Sequence, residues 1–139
     1  MITDYEREQI LGAGSFLEEK GYKIQADEYS ISYSNGDIRF SFTYPPYEET
    51  SQASIRFKGI NEVFYIDWIA LVREQINVDG RKKLLNILAL MGFIREHYEE
   101  ITDYSYCKQS DELIDRYVEQ HREKYEKAVR DFLELCRKS

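Results

Sequence analysis

Hydrophobic and polar residues alternate strictly between positions 28 and 44. Tyr29, Ile31 and Tyr33 alternate with serines, and after "NGD" at 35–37 a second alternating run follows, with apolar residues at Ile38, Phe40, Phe42 and Tyr44. A period of two is typical of a strand with one buried face, and Asn-Gly between two such runs is the strongest short-range signal for a β-hairpin. We therefore predict two antiparallel strands joined by a tight turn.

Two more strands are predicted after the proline-containing segment 45–52. They are "ASIRFK" (53–58) and "EVFYID" (62–67), linked by a turn around Gly59. Short connections of this kind predict an antiparallel meander of four strands. One face should be apolar, with Tyr29, Ile31, Ile38, Phe40, Phe42, Ile55 and Phe57. The other should be polar, with Ser30, Ser32, Ser34, Arg39, Ser41, Thr43, Ser54, Arg56 and Lys58.

The rest of the chain has helical spacing. An N-terminal helix is predicted over 4–20. Gly12 and Gly14 disfavour a helix, and their use would instead be to allow close contact with the sheet. After a short helix from Trp68, the segment 79–101 is apolar nearly all round, which is typical of a buried central helix. A last helix, about 110–137, has an apolar stripe at Ile114, Tyr117, Val118, His121, Tyr125, Ala128, Val129, Phe132 and Cys136.

These elements predict the fold class. We expect a single α+β domain over residues 1–139, with an N-terminal helix, a four-stranded antiparallel meander and three C-terminal helices packed on one face of the sheet. The chain is long enough, with 42% hydrophobic residues, to bury a core of its own.

Asp67 is the only residue in "VFYIDWIALV" (63–72) that is not hydrophobic. A carboxylate in an apolar run could do acid/base chemistry, but the run supplies no titratable partner. The other interpretation is that Asp67 caps the helix that follows, since aspartate is a favoured capping residue. We favour the cap.

Charge narrows the choice of partner. The formal net charge is −7, and residues 1–30 carry seven acids against three bases. A field of this sign repels phosphate, so nucleic acid and anionic membranes are disfavoured and a basic protein is favoured. The beginning "MITDYEREQI" does not have the order of a signal peptide and no apolar run is long enough to span a membrane, so we expect a cytoplasmic protein, a monomer or homodimer.

Catalytic signals are weak throughout the sequence. Cys107 and Cys136 have no metal-type spacing and are expected to be thiols, and the only histidines are His97 and His121. We expect His121 to be a packing residue on the apolar stripe. The "GAGSF" segment follows no strand, so it is neither a phosphate loop nor a nucleophile elbow. We therefore predict no catalytic residue, no cofactor and no metal.

Tyrosines beside acids offer a candidate binding surface. They lie in two segments predicted to be loops, "TYPPYEET" (43–50) and "EEITDYSYCK" (99–108). Tyrosine is enriched at protein interfaces because it joins a large ring to a polar tip. The predicted partner-binding residues are Tyr44, Tyr47, Glu48, Glu49, Asp103, Tyr104 and Tyr106.

In size, charge and architecture, with the passage "IRFKGINEVFYIDWIALVREQI", the chain resembles the small cytoplasmic immunity proteins of bacterial polymorphic toxin systems. This resemblance implies a non-catalytic antitoxin-type protein that binds and neutralises a cognate toxin domain, often a basic nuclease. The acidic loops would then face the basic site of the toxin, and charge complementarity would speed capture. The alternatives are a secretion-type chaperone, whose family has a different order of elements, and a small enzyme using distant carboxylates.

Overall fold

A computed structural model describes residues 1–44, 52–78 and 82–138, and confirms the α+β fold. The N-terminal helices are α1 (Asp4–Ala13) and α2 (Ser15–Glu19). The strands are β1 (Lys23–Ala26), β2 (Ser30–Ser34), β3 (Ile38–Thr43), β4 (Ala53–Phe57) and β5 (Val63–Tyr65). The C-terminal helices are α3 (Ile66–Glu74), α4 (Lys83–Glu96), α5 (Tyr98–Ile101) and α6 (Tyr104–Lys138).

The sheet is an antiparallel meander in the order β1-β2-β3-β4-β5. The predicted hairpin between β2 and β3 is confirmed: Gly36 has a positive φ of 94°, and the Asn35 side chain accepts hydrogen bonds from the amides of Asp37 and Ile38. In the described part of the chain the sheet has five strands rather than four. Its additional edge strand, β1, was not predicted because its sequence, KIQA, is only four residues long and has one large apolar residue; three of the four residues are exposed.

One face of the sheet forms the core with the helices. Ile31, Tyr33, Phe40, Phe42 and Ile55 are all fully buried. The polar face is open, and Arg39 and Arg56, both exposed, lie opposite each other on β3 and β4. Tyr29 was predicted on the apolar face but is 54% exposed, because β2 begins one residue after it.

Gly14 interrupts the predicted N-terminal helix where the helix layer meets the sheet. The helix begins at Asp4 with a capping box formed by Thr3 and Glu6, ends at Ala13 and resumes as α2. A Cβ at Gly14 would overlap the Tyr33 hydroxyl, and that hydroxyl is buried without a hydrogen bond in the described part of the chain. Close contact with the sheet, which we predicted as a use for these glycines, is therefore confirmed for Gly14. Nothing lies within 4 Å of a Cβ at Gly12.

Asp67 joins the helix layer to the sheet, and its predicted role as a helix cap is wrong. The helix begins one residue earlier, at Ile66, and no side chain caps it. The Asp67 carboxylate is 9% exposed and accepts hydrogen bonds from the backbone amides of Gln52, at 3.0 Å, and Ala53, at 2.9 Å. It therefore fixes the point at which the chain joins β4.

The predicted central helix buries one face only, since Leu85 is 61% exposed, and it is divided at His97 into α4 and α5. The predicted start, at 79–81, lies outside the described residues. The last helix, α6, begins at Tyr104, so the segment 99–108 is helical over most of its length and is not the predicted loop. Cys107 and Ser110 of α6 are buried, whereas every residue from Val118 to Lys138 is exposed. The predicted stripe thus contacts the domain only in its first part.

We expect Asp67→Ala to lower the free energy of unfolding by about 3 kcal/mol, because two buried amides lose a charged acceptor. Asp67→Asn keeps one acceptor oxygen and should lower the free energy of unfolding by about half as much. Chemical denaturation of both variants measures this difference. A loss below about 1 kcal/mol for Asp67→Ala would match an ordinary helix cap and would contradict the role described.

Gly12 and Gly14 provide a matched pair of substitutions. Gly14→Ala should destabilise the protein by about 1–3 kcal/mol, because the added methyl group overlaps the Tyr33 hydroxyl. Gly12→Ala should stabilise it by about 0.5–1 kcal/mol, because alanine is the better helix former and the site is open. Thermal and chemical unfolding should show opposite signs, and equal effects would contradict the packing at Gly14.

Candidate functional site

Tyr44 is buried, so the prediction that it is exposed is wrong. Its side chain is 6% exposed, and its hydroxyl donates a hydrogen bond of 2.6 Å to the Glu6 carboxylate. The reason lies in the alternation: Tyr44 follows Phe40 and Phe42 on the core-facing side of the strand. Tyr47, Glu48 and Glu49 lie outside the described residues, and their role in binding stays a prediction.

Tyr104 contributes its ring to the domain's own packing. The ring makes edge contacts with Phe57 and Phe64, at centroid distances of 5.8 and 5.7 Å. Its hydroxyl donates to Glu62, which also pairs with Lys108 at 2.7 Å. Most of the contact area that suggested an interface is therefore already used within the chain.

Tyr106 is also held by the domain. The Arg73 guanidinium lies over its ring at 4.2 Å and donates hydrogen bonds to the Tyr106 carbonyl and to Ser110. Asp103 is exposed, and its carboxylate accepts the Ser105 amide at the start of α6. Of the predicted residues that the structure describes, only Asp103 is exposed.

A larger acidic feature lies at the junction of α2, α4 and α5. It is an open hollow of about 740 Å³ lined by Phe16, Glu19, Lys20, Arg95, Glu96, His97, Tyr98, Glu99 and Glu100. We call it the acidic hollow. Four carboxylates face two permanent cations there. The break at His97 places the end of α4 and the start of α5 side by side, which gathers these carboxylates.

Side-chain contacts fix the floor of the acidic hollow. The His97 ring lies between carboxylates, with Nδ1 3.1 Å from Glu100 and Nε2 3.4 Å from Glu74. The Tyr98 hydroxyl is 2.8 Å from that of Tyr22, whose pKa is raised by burial and by this hydrogen bond. Lys20 lies over the Tyr98 ring at 4.3 Å.

The rim of the acidic hollow has unused acceptors. Glu19, Glu96 and Glu99 are exposed and form no ion pair with any residue of the described ranges. Carboxylates of this kind accept guanidinium or ammonium groups, and the forked donors of arginine suit them best. The acidic hollow can therefore receive cationic side chains.

The second feature is the exposed part of α6. Its large apolar side chains include Tyr125, Phe132 and Leu135, which are 72%, 65% and 68% exposed. His121, predicted as a packing residue, is exposed as well and stacks on Tyr117 at 3.9 Å. A hollow of about 480 Å³ lies where α6 leaves the domain, lined by Leu71, Val72, Gln75, Asn77, Leu113, Arg116, Tyr117 and Gln120.

Cys107 of α6 is buried. Burial raises the pKa of the Cys107 thiol to about 12, which makes it a poor nucleophile. Across residues 1–44, 52–78 and 82–138, no group of three or more His, Cys, Asp or Glu side chains is placed to hold a metal ion. In the same ranges no helix is both long and apolar enough to cross a bilayer.

Comparison of the chain with models of protein families, with curated proteins and with solved structures found no match.

Sequence reasoning missed the acidic hollow because its residues come from two distant segments, 16–20 and 95–100. The available signal was the density of acids around His97, at Glu96, Glu99 and Glu100. That signal became a site only when α2 was placed beside it.

The bond between Tyr44 and Glu6 predicts a pH effect. Burial acts to raise the pKa of Glu6, but hydrogen bonds from Tyr44 and Thr3 hold the pKa below its ordinary value. A lowered pKa in the folded state means that this stabilisation is present at neutral pH and is lost as the pH falls through the pKa of folded Glu6. Tyr44→Phe should raise the Glu6 pKa, as measured by NMR titration of the carboxyl carbon.

Tyr5→Phe is the matched control, since Tyr5 is 65% exposed on the same helix. An equal Glu6 pKa in the two variants would contradict the hydrogen bond from Tyr44 to Glu6.

Proposed function

We propose that this protein is a non-catalytic protein-binding module of the immunity type, which binds and neutralises a basic toxin domain through the acidic hollow. The observation that carries the proposal is a set of three carboxylates, Glu19, Glu96 and Glu99, that form no ion pair with a described residue and surround a floor fixed by His97 and Tyr98. An acidic inhibitor of a basic enzyme needs a surface of this kind, because opposite charge speeds encounter and orients the partner.

The shape of the acidic hollow favours a protein partner. It is open rather than enclosed, so a cationic side chain standing on a larger surface can reach its floor. Arginine is enriched at protein interfaces and pairs with carboxylates through two parallel hydrogen bonds. The Tyr98 ring is covered by Lys20, so the exposed carboxylates are the groups in the acidic hollow that would bind such a guanidinium.

The predicted acidic residues outside the acidic hollow belong to the same proposal. Asp103 follows α5 closely in the chain and is exposed. Tyr47, Glu48 and Glu49 would add a second acidic contact. Charge reversal at Glu48 and Glu49 tests that contact separately from the acidic hollow.

A secretion-type chaperone is the second candidate, and the observation that favours it is the exposed apolar face of α6. Chaperones of that kind present apolar surface to an extended segment of a client. The uninterrupted run of five strands differs from the usual order of that family. Immunity-type binding therefore stays the first proposal.

The test expresses the proteins encoded by the neighbouring genes and measures the affinity of each basic domain among them by calorimetry at low and high salt. Glu96→Lys combined with Glu99→Lys should weaken binding about tenfold or more, and binding should weaken steeply with salt. The matched control is Glu8→Lys with Glu28→Lys, which changes the net charge equally at exposed positions outside the acidic hollow.

Equal losses for the two double variants would show that only net charge matters and would contradict a site at the acidic hollow. An unchanged affinity in both would contradict the charge-based proposal. A domain that stays active when saturated with this protein would contradict neutralisation.

A further inference from the structure

The exposed part of α6 has more apolar surface than a solitary helix should present to water. Residues 118–138 form 21 consecutive exposed helical positions, a length of about 31 Å at 1.5 Å per residue. Helices without tertiary contacts are marginal in water, and monomeric proteins rarely expose continuous apolar patches of this size. The stripe also continues the face that packs on the domain at Cys107, Ser110 and Ile114.

The stripe follows three heptads. With Val118 as the first a position, the a residues are Val118, Tyr125 and Phe132, and the d residues are His121, Ala128 and Leu135. Val129 and Cys136 widen the stripe at e positions. Apolar a and d positions with charged flanks are typical of a coiled coil.

From this pattern we infer that the exposed part of α6 pairs with the same segment of a second copy of the chain, antiparallel, to form a homodimer. The inference concerns a surface separate from the acidic hollow and does not depend on the proposed function. In an antiparallel pair, a residues face d residues and g residues face g residues. One register then places Val118 opposite Leu135, Tyr125 opposite Ala128 and Phe132 opposite His121.

Charge complementarity selects this register. It brings Lys124, at a g position, opposite Asp131 of the second copy. Because the dimer has twofold symmetry, this ion pair forms twice. A shift of one heptad in one direction would place Lys124 against itself. A shift in the other would place Asp131 against itself and Lys124 against Lys138. Flanking charges set orientation and register in coiled coils, so the neighbouring registers are disfavoured.

A parallel pair lacks these favourable contacts. It would place Tyr125 against Tyr125 and His121 against His121 in the core, and Lys124 would face Val129.

The selected antiparallel register also fits the length of the exposed segment. The whole stripe of each copy is covered, and the last turn of one copy reaches Tyr117 of the other. Trp68, 38% exposed and in edge contact with Tyr117, and the hollow near Leu71 lie at this position.

The polar side of the helix argues against a membrane as the occupant. Residues 118–138 carry five acids interspersed with six bases. Helices that lie on anionic membranes have polar faces dominated by lysine and arginine. Mixed signs are typical of helices that pair with other helices.

Sedimentation equilibrium of the full chain tests the dimer, which should have twice the 16.6 kDa mass of one chain. Phe132→Glu should reduce the mass to that of a monomer. The matched control is Leu133→Glu, since Leu133 is 49% exposed but lies outside the a and d positions, and it should stay dimeric. A monomeric wild-type chain at about 100 μM, far above the micromolar Kd of even a moderate interface, overturns the inference.

Charge reversal tests the register. Lys124→Asp or Asp131→Lys alone should raise the dimer Kd about tenfold, since each creates two like-charge contacts. The two together should restore the wild-type Kd. Failure of the double variant to recover overturns the register, while circular dichroism checks that the helix is intact.

Disulfide trapping tests the orientation in a Cys136→Ser background. Chains with Val118→Cys and chains with Leu135→Cys, distinguished by a tag, should cross-link to each other after mixing. In a parallel pair each variant would cross-link to itself, and that result overturns the antiparallel arrangement. Binding to anionic vesicles without dimerisation also overturns the proposal.

Discussion

The Asp67 carboxylate is the contact on which the arrangement of layers depends. It belongs to the first turn of α3, yet its two hydrogen bonds go to the backbone at the start of β4. Because β4 pairs with both β3 and β5, a shift at its first residue would move the register of half the sheet. The amide side chains of Gln52 and Asn86 extend the connection to α4. One buried polar cluster thus ties three elements together.

With this connection in place, the core forms on one face of the sheet only. The helices cover the aromatic face, and the polar face, with its opposed arginines, stays open to water. Three tyrosines predicted to bind a partner are used in the same way, Tyr44, Tyr104 and Tyr106. Their rings pack on the core, and a hydroxyl or carbonyl group of each forms a hydrogen bond with a neighbouring side chain. Among the described residues, the acidic hollow and the exposed part of α6 are two surfaces that remain available for recognition.

These two surfaces differ in physical character and suit different partners. The acidic hollow presents charge around a fixed floor, which favours fast and salt-sensitive capture of a basic group. The stripe of α6 presents apolar area on a regular helix, which favours a stable pairing of like with like. When the α6 stripes of two chains pair, the dimer displays two copies of the acidic hollow. Binding of a partner at one acidic hollow then leaves the second one open.

The sequence by itself determined the elements whose signals are local. The alternation around "NGD" specified the hairpin, the capping pair Thr3 and Glu6 specified the start of α1, and the heptads specified the stripe of α6. Tertiary structure decided what depends on distant neighbours: that the four residues of β1, too few for a clear signal, join an edge of the sheet, that Asp67 bonds to β4 instead of its helix, and that α2 meets α5. Periodicity reports which face of an element is apolar, but only packing determines what covers that face. In α6 the apolar stripe continues beyond the part of the helix that packs on the domain.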